Sequence, residues 1–246
     1  MASDRATPVT EAVGYFDRAA PDYAGLTERH PAYVERWELF RRLIAAAGSA
    51  KPDGGSLAVD LGCGTGVLAR HLADVGYRTV GFDGSAPMLE RANESLSAEA
   101  AGRLELRLAP LPLPEEAAAE LAGSADLVVC SSVIEFVADD GLLLAQCARL
   151  LAPRGTLLIS FPNRESLWRR VEPRMRRLPR LRRSALGVQK HRYTLDEAAA
   201  ALGRAGLRVR ESHYFALPAQ ALVGALVRSR SRRLAMMFVV VAGRDA

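Results

Sequence analysis

The residues best suited to binding chemistry in this 246-residue chain are two acids that flank a group of glycines. Asp60 stands two positions before the segment Gly62-Cys63-Gly64-Thr65-Gly66, and Asp83 follows 23 residues after Asp60. Glycines let the backbone turn sharply and approach a ligand closely because they carry no Cβ atom. An acid before such a turn suits a ligand with an ammonium group, and an acid after the next strand accepts the hydroxyls of a ribose. The pattern therefore predicts a site for a ligand that carries both groups.

A dinucleotide site is the obvious competitor for a glycine turn of this kind. Its fingerprint requires glycine at the sixth position of G-x-G-x-x-G, and the sixth residue counted from Gly62 is Val67. The pyrophosphate-binding pattern is therefore not met.

Apolar runs and helical spacings place the glycine turn in an alternating strand–helix pattern. The predicted strands are 57–61, 79–82, 104–108, 127–130, 156–161, 207–215 and 234–242, and the predicted helices are 33–44, 67–75, 87–96, 115–121, 141–150 and 195–205. Such alternation predicts a parallel sheet covered on both faces. We expect a seven-stranded, doubly wound Rossmann-like α/β sheet with one antiparallel strand. The glycine turn then lies at the carboxyl end of the first strand, where such sheets bind ligands.

Composition describes an ordinary globular chain, 49% apolar and 25% charged. Three scattered cysteines are too few for a disulfide framework or a zinc site, which favours a reducing compartment and a cytoplasmic protein. The amino terminus lacks the apolar core of a signal peptide. The apolar stretches 216–227 and 234–242 fall short of the roughly 20 residues that a spanning helix requires.

Positive charge is concentrated in one stretch, Arg164 to Arg192. It contains ten arginines and one lysine against two glutamates, a local charge of +9, although the whole chain carries +5. The remainder is therefore net acidic, at −4. This asymmetry indicates a local basic element and argues against a nucleic-acid-binding protein, which would be basic over a broad face. Oligomeric state leaves no signal in the sequence.

Several motifs together resemble the class I S-adenosylmethionine-dependent methyltransferases. The similarity covers roughly 13–242 and is closest to bacterial O-methyltransferases of the ubiquinone-biosynthesis type. It is carried by 60–66 as the family's first motif, 81–85 as its second, 125–135 as the fourth-strand motif, 151–156 as the turn into strand five, and 15–23 as an amino-terminal aromatic cap.

The resemblance implies a set of residues that bind S-adenosylmethionine. Asp60 and the first motif would hold the methionine part, Asp83 would bind the ribose, and aromatics of the cap would close over the cofactor. The full set is Tyr15, Tyr23, Asp60, Gly62, Cys63, Gly64, Asp83, Gly84, Ser85, Met88, Ala109, Cys130 and Ser131.

Two departures from the relatives limit what can be carried over. Those enzymes have an acid and then Glu-His after strand four, whereas the matching positions here are Ser132, Glu135 and Phe136. We therefore expect no metal site. Relatives also place an aspartate after strand three for the adenine amino group, whereas this chain has 108–110, Leu-Ala-Pro. Backbone groups and apolar packing would then recognise the adenine.

Glu135 and His191 are the candidate catalytic residues. Glu135 would act as a general base if burial raised its pKa, but it also fits a carboxylate at a helix start. His191 follows the basic stretch and precedes a helix capped by Thr194. It can serve as a base near neutral pH or be a surface histidine beside a lid.

The basic stretch leaves the predicted fifth strand and would form a lid, 162–194, over the acceptor pocket. An apolar stripe runs through it at helical spacing, Trp168, Val171, Met175 and Leu178. Such a segment can lie peripherally on an anionic membrane, meet an anionic substrate, or simply be solvated. The other parts of this single domain are an N-terminal helical cap (1–50), a cofactor-binding core (56–161) and a C-terminal helix with strands (195–246).

The sequence thus predicts methyl transfer from S-adenosylmethionine to a small-molecule or lipid-like acceptor, most simply to oxygen in a biosynthetic pathway. One alternative is an enzyme of the same fold that binds the cofactor and catalyses a cyclisation or rearrangement. Another is a membrane-surface binding protein that has lost catalysis, against which the intact cofactor motifs argue.

Overall fold

A computed structural model describes residues 11–48, 55–96, 100, 102–169, 188–216 and 231–245. The elements in chain order are α1 (Glu11–Arg29), α2 (Pro31–Ala47), β1 (Leu57–Leu61), α3 (Val67–Asp74), β2 (Arg78–Asp83), α4 (Ala86–Glu94), β3 (Leu104–Leu108), α5 (Glu115–Glu120), β4 (Ala125–Cys130), α6 (Asp140–Leu150), β5 (Leu151–Pro162), α7 (Leu195–Arg204), β6 (Arg208–Phe215) and β7 (Met237–Gly243).

The strands form one seven-stranded sheet in the order β3-β2-β1-β4-β5-β7-β6. Strands β1 to β5 pair in parallel, and β7 runs antiparallel to both of its neighbours, β5 and β6. The predicted fold class, including its single antiparallel strand, is confirmed. Strand order reverses between β1 and β4, which opens a crevice at the carboxyl ends of these strands.

The two largest apolar clusters of the described residues cover the two faces of the sheet. Alternate residues of β4 divide between them, so that Val128 packs into one core while Leu127 and Val129 pack into the other. One core includes residues of α6 and α7, and the other includes Phe40 and Ile44 of α2. Burial on both faces explains why β1 reads as a continuous apolar run with a single acid, Asp60.

Residue chemistry at the helix ends fixes where several helices begin. The side chains of Ser85 and Thr194 cap α4 and α7 by accepting backbone N–H groups, and Thr194 forms a reciprocal capping box with Glu197. Gly48, with φ of 115°, ends α2 in a conformation that other residues rarely adopt.

Strand β5 begins earlier than the sequence predicts. The segment expected to be a turn before it, 151–156, is already paired with β4, because Ala125 pairs with Leu151 and Leu127 pairs with Thr156. The register shifts between these two pairs, which leaves extra residues on the β5 side. The segment 151–156 is therefore part of the strand and carries an irregularity of the β-bulge type.

Most of the basic stretch, residues 170–187, lies outside the described residues, as do Val171, Met175 and Leu178 of its apolar stripe. The described ends of the stretch lie together, since Nη1 of Arg169 is 3.4 Å from Oε1 of Gln189. Arg169 is only 8% exposed, so this arginine of the basic stretch is buried and does not lie on a solvated face. No helix among the described residues is long and apolar enough to cross a membrane.

Candidate functional site

A cavity opens at the carboxyl ends of β1, β2 and β4, beneath α1 and α2. It holds about 940 Å³ of space with its open mouth included. Of the residues predicted to bind the cofactor, those that line it are Tyr23, Asp60, Gly62, Cys63, Gly64, Asp83, Gly84, Met88 and Ser131.

The glycine turn forms the floor of this cavity. Gly62 and Gly64 have φ of 75° and 54°, in the left-handed region that favours glycine. A Cβ atom on Gly62 would lie 2.3 Å from Cγ2 of Val133, so the turn packs directly against the segment that follows β4. The backbone N–H groups of Gly62 and Cys63 donate to the Phe82 carbonyl, which ties the turn to the end of β2.

Asp60 is a buried acid at the edge of the cavity. It is 1% exposed, and its Oδ2 has no hydrogen-bond partner among the described residues. Burial, with the nearby charge of Asp83, raises the pKa of Asp60 to about 7, while Arg36 and a backbone hydrogen bond from Ala69 act in the opposite direction. An unpartnered buried carboxylate oxygen fits a ligand that brings an ammonium group.

Asp83 ends β2 with its carboxylate turned toward the glycine turn. Its Oδ2 accepts the Gly64 backbone N–H at 2.7 Å, and its Oδ1 accepts the Ser85 backbone N–H at 2.9 Å. Burial raises the pKa of Asp83, and these backbone hydrogen bonds oppose the effect. Each carboxylate oxygen keeps further acceptor capacity, which suits the two hydroxyls of a ribose.

Aromatic and aliphatic side chains form the opposite wall. Phe16 of α1 contacts Phe136 edge to face, with ring centroids 5.1 Å apart, and lies 6.2 Å from the ring of Tyr23. Val133 and Val137 add aliphatic surface beside them. The cavity therefore has a polar backbone floor and an apolar wall.

Four predicted cofactor residues lie beside the cavity and do not line it. Tyr15 packs against Phe16, and Ser85 caps α4 and donates to Oδ1 of Asp17 at 2.6 Å. The backbone N–H of Ala109 donates to the Asp83 carbonyl. Cys130 is fully buried at the end of β4. These contacts help to hold the neighbouring residues that line the cavity in position.

Glu135 is buried in the turn between β4 and α6. It is 2% exposed, burial raises its pKa to about 7, and its Oε2 has no partner in the described part of the chain. The helix that follows starts at Asp140 with Asp139 as its cap, so the interpretation of Glu135 as a helix-start carboxylate was wrong. Glu135 does not line the cavity, although Val133 and Phe136 beside it do.

His191 is held against α6, away from the cavity lining. Its Nε2 lies 3.1 Å from the Val137 carbonyl oxygen, and its Nδ1 lies 3.6 Å from Oδ2 of Asp140. Asp140 also accepts the hydroxyl of Tyr193, and the Lys190 backbone N–H donates to the Glu135 carbonyl. The segment around His191 is thereby attached to the turn after β4.

Sequence reasoning missed Arg36 and Leu111, which both line the cavity. Arg36 follows Tyr33 by three residues and precedes Phe40 by four, so it occupies the apolar face of α2. A charged residue on that face was the available signal. Leu111 follows β3 and supplies apolar surface to the cavity. It lies next to 108–110, the segment that lacks the aspartate expected after strand three.

No group of three or more His, Cys, Asp or Glu residues with spacing suited to a metal ion occurs within the described ranges.

Comparisons with known proteins agree with this geometry. A sequence profile described as a methyltransferase domain matches residues 32–212. The ubiquinone biosynthesis O-methyltransferase of Xanthomonas axonopodis pv. citri is 36% identical over 110 residues, covering 45% of this chain and 44% of that protein. The aligned part thus spans less than half the length of this curated relative.

Solved structures share the fold at low sequence identity. A Thermotoga maritima protein, described as an S-adenosylmethionine-dependent methyltransferase and possible histamine N-methyltransferase, aligns with a TM-score of 0.66 and 18% identity over 96% of this chain and 100% of its own. Magnesium protoporphyrin IX methyltransferase from Synechocystis PCC 6803, with bound S-adenosylhomocysteine, aligns with a TM-score of 0.65 and 17% identity over 94% of this chain and 97% of its own. Because the matching profile spans most of the sequence, and because the fold agrees with it, the chain belongs to the class I S-adenosylmethionine-dependent methyltransferases.

Proposed function

We propose that this methyltransferase acts on an oxygen atom of a small or lipid-like acceptor in a biosynthetic pathway. The observation that carries the proposal is the apolar wall of the cavity, which Phe16, Phe136 and Val137 line together with the glycine turn. Apolar surface of this kind suits an acceptor with a ring or an alkyl chain. The partial similarity to O-methyltransferases supports oxygen as the nucleophile. Because the relatives and neighbours are named as methyltransferases, cyclisation or rearrangement is not favoured.

The residues of the cavity fit S-adenosylmethionine, which supplies an electrophilic methyl group when bound. We assign Asp60 to its ammonium group and Asp83 to its ribose hydroxyls. The glycine turn gives close backbone approach, since Gly62 and Gly64 place no side chain between the chain and the ligand. Phe16 and Tyr23 of α1 cover the cavity and would exclude water from the reacting atoms.

An oxygen nucleophile must lose its proton, and we assign Glu135, which lies behind the lining residues Val133 and Phe136, to accept it through a bridging water. Support comes from its raised pKa of about 7, which suits proton transfer near neutral pH, and from its unpartnered Oε2. Both ring nitrogens of His191 already face protein oxygens, from Val137 and Asp140. We therefore assign His191 to anchoring the segment 188–193 and not to catalysis.

A set of matched acceptors tests the proposed reaction. Catechol, 4-hexylcatechol and 4-hexylaniline are each incubated with S-adenosylmethionine carrying a labelled methyl group, and S-adenosylhomocysteine and methylated product are quantified. We expect 4-hexylcatechol to react faster than catechol and the aniline to be inert. Methylation of the amine, or preference for the acceptor without an alkyl chain, would contradict the proposal.

The role of Glu135 is tested with whichever acceptor reacts. Glu135→Gln should lower kcat by about 100-fold or more and remove the rise of kcat through pH 7, with little change in KM. His191→Gln should retain the pH profile of the parent. An unchanged kcat in Glu135→Gln would contradict this role and would mean that the nucleophile loses its proton without help from the protein.

Peripheral contact with a membrane is a further proposal, resting on the charge of the sequence between Arg164 and Arg192. Arg170, Arg176 and Arg177 are replaced together by serine, whereas Arg169 is kept because it is buried. We expect weaker sedimentation with vesicles rich in anionic lipid at low ionic strength. Equal sedimentation of parent and variant would assign these arginines to solvent.

A further inference from the structure

A second cavity adjoins the first and has no part in the proposed reaction. It lies between α2, α3 and the end of α4, and it holds about 1520 Å³ of space with its open mouth included. Thr65 and Leu68 border both cavities, so the two share a wall at the glycine turn and the start of α3. The described residues that line the second cavity do not include Phe16 or Phe136 of the proposed acceptor wall.

Arg70 of α3 is the cation of this cavity that is tied to neutral groups. It is half-buried, and its Nη1 donates to the Thr65 carbonyl at 3.1 Å and also to Oγ of Ser95. Burial lowers the pKa of Arg70, and the charge of Asp74 opposes this effect. Within the described part of the chain, no carboxylate lies within ion-pair distance of Arg70, and its Nε and Nη2 have no hydrogen-bond partner. These two nitrogens form the edge of the guanidinium that binds a carboxylate through two parallel N–H groups.

The other charges that line the second cavity are balanced in other ways. Arg91 and Glu94 of α4 form an ion pair of 2.8 Å with both side chains exposed, so the pair is neutral and screened by water. Arg36 lies where the two cavities meet, and its charge acts on the buried acids beside the first one. Arg70 therefore supplies the net positive charge of the second cavity, and a ligand with a single negative charge balances it.

Apolar surface and an unsatisfied hydroxyl complete the cavity. Trp37 is half-buried and meets His71 edge to face, with ring centroids 5.0 Å apart, and Leu68 adds aliphatic surface. Thr65, on the shared wall, is 4% exposed, and its Oγ1 has no partner among the described residues. A buried hydroxyl without a partner costs free energy, which an oxygen of a ligand at this wall would recover.

A small molecule with a flat ring and a carboxylate matches these features together. We propose that the second cavity is a binding site for an aromatic carboxylate, whose anion pairs with the free edge of Arg70 and whose ring packs against Trp37 and Leu68. The site is separate from the first cavity, to which the cofactor and the proposed acceptor are assigned. Its ligand would lie next to the glycine turn, because Thr65 borders both cavities.

Probes that differ in one property test the site in protein already saturated with S-adenosylhomocysteine. The chain has two tryptophans, Trp37 and Trp168, so 5-fluorotryptophan in the Trp168→Phe variant gives one fluorine NMR resonance, at the second cavity. We expect benzoate to shift this resonance to saturation. Benzamide, which keeps the ring without the charge, should bind at least about tenfold more weakly. Cyclohexanecarboxylate, which keeps the charge without the flat ring, should bind about threefold to tenfold more weakly.

Variants of Arg70 locate the charge that the ligand meets. Arg70→Gln should weaken benzoate by about tenfold or more and leave benzamide unchanged. Arg70→Lys keeps the charge but loses the planar fork, so its affinity should lie between the two. Arg42→Gln is the matched control, because it removes a charge from an exposed position of α2 that does not line the cavity. If Arg70→Gln does not fold, Arg70→Lys and the comparison of benzoate with benzamide in the parent decide the question.

Binding that requires the charge of the ligand, depends on Arg70 and persists with S-adenosylhomocysteine bound supports the proposal. Displacement of benzoate by S-adenosylhomocysteine would place it in the cofactor site, and competition with 4-hexylcatechol would place it in the acceptor site. Either result overturns the proposal, as would equal affinity for benzoate and benzamide, or no shift up to the solubility limit of benzoate. Cofactor binding by the parent is measured first, and if it fails, the same titration without cofactor still tests the second cavity.

Discussion

The two sides of the cavity are built in different ways. The cofactor side uses residues close together in the chain, 60–64 and 83–84, and much of its binding surface is backbone. The other side combines Phe16 of α1 with the turn after β4, and its surface is made of side chains. A backbone site depends on a few glycines and acids, whereas a side-chain wall can change its residues without changing the fold. This difference explains why a single fold accepts varied acceptors.

Both sides contain a buried carboxylate with a raised pKa, but the surroundings differ. Burial is the main cause of the raised pKa of both acids; the like charge of Asp83 adds to it at Asp60, whereas the charges of Arg36 and Arg169 oppose it at Glu135. Arg36 opposes the shift in both cases and so links the two sides. Asp60 is thereby suited to hold a cation, and Glu135 to accept a proton.

The largest expected effect comes from rigid packing on the cofactor side. Gly62→Val places a Cβ atom 2.3 Å from Val133 and forces a branched residue to φ of 75°, so we expect loss of about 3–5 kcal/mol of stability and of cofactor binding. Thermal unfolding and calorimetry measure both. Gly123→Ala is the control, because it has φ of 70° with nothing within 4 Å and should cost about 1–2 kcal/mol. Equal effects of the two changes would show that backbone strain alone matters.

The next effect concerns Asp83, whose carboxylate serves both the ligand and the turn. Asp83→Ala should weaken S-adenosylhomocysteine by about 10- to 100-fold, because a charged acceptor is lost. The Gly64 and Ser85 backbone N–H groups also lose their acceptor, so a stability loss of about 1–3 kcal/mol should accompany it. Asp83→Asn should recover part of the stability but less of the affinity. Unchanged affinity in Asp83→Ala would overturn its assignment to the ribose.

The two buried acids make stability depend on pH. Both have pKa values of about 7 in the folded protein and near 4 when unfolded, so the folded state binds more protons between these values. The free energy of unfolding of the cofactor-free protein should therefore fall as pH rises from about 4 to 7. Asp60→Asn and Glu135→Gln should each flatten this slope, by roughly 1–3 kcal/mol across the range. Urea unfolding at several pH values measures it, and slopes equal to the parent would contradict the raised pKa values.

Of these two acids, Asp60 is the one whose pKa should change when the cofactor binds. A bound ammonium favours its charged form, so affinity for S-adenosylhomocysteine should increase with pH and level off above about 7. Calorimetry of Asp60→Asn should give an affinity that is flat over the same range. A parent affinity independent of pH would mean that Asp60 is already ionised in the free protein.

The smallest expected effect is that of a chelator. Ser132 and Phe136 stand where the similar O-methyltransferases carry an acid and a histidine, so Glu135 is the one remaining candidate metal ligand of that motif. A single carboxylate holds magnesium poorly. Turnover measured with and without EDTA should therefore be equal. Loss of activity that magnesium restores would place a metal on the acceptor side and contradict this prediction.

The sequence alone determined the strand order along the chain, the glycine turn and the two acids at the ends of β1 and β2. These features are local: hydrophobic alternation fixes strands and helices, and Gly62 with Asp60 is a contiguous pattern. Strand β1 was predicted with its observed bounds because five buried residues stand between turn residues. The start of β5 was missed, since a bulged register depends on pairing with β4.

Only the tertiary structure decided which side chains complete the site. It brought Arg36 of α2 to Ser132, 96 residues away, and turned His191 toward Asp140 and away from the cavity. It also buried Arg169, although this residue belongs to the strongly basic stretch of the sequence. Contacts between residues so far apart in the chain depend on how the helices cross the sheet. They also depend on the direction in which a residue of an irregular turn faces. Neither is encoded by spacing, because helical and strand periodicities specify a face of an element but not the partner that covers it.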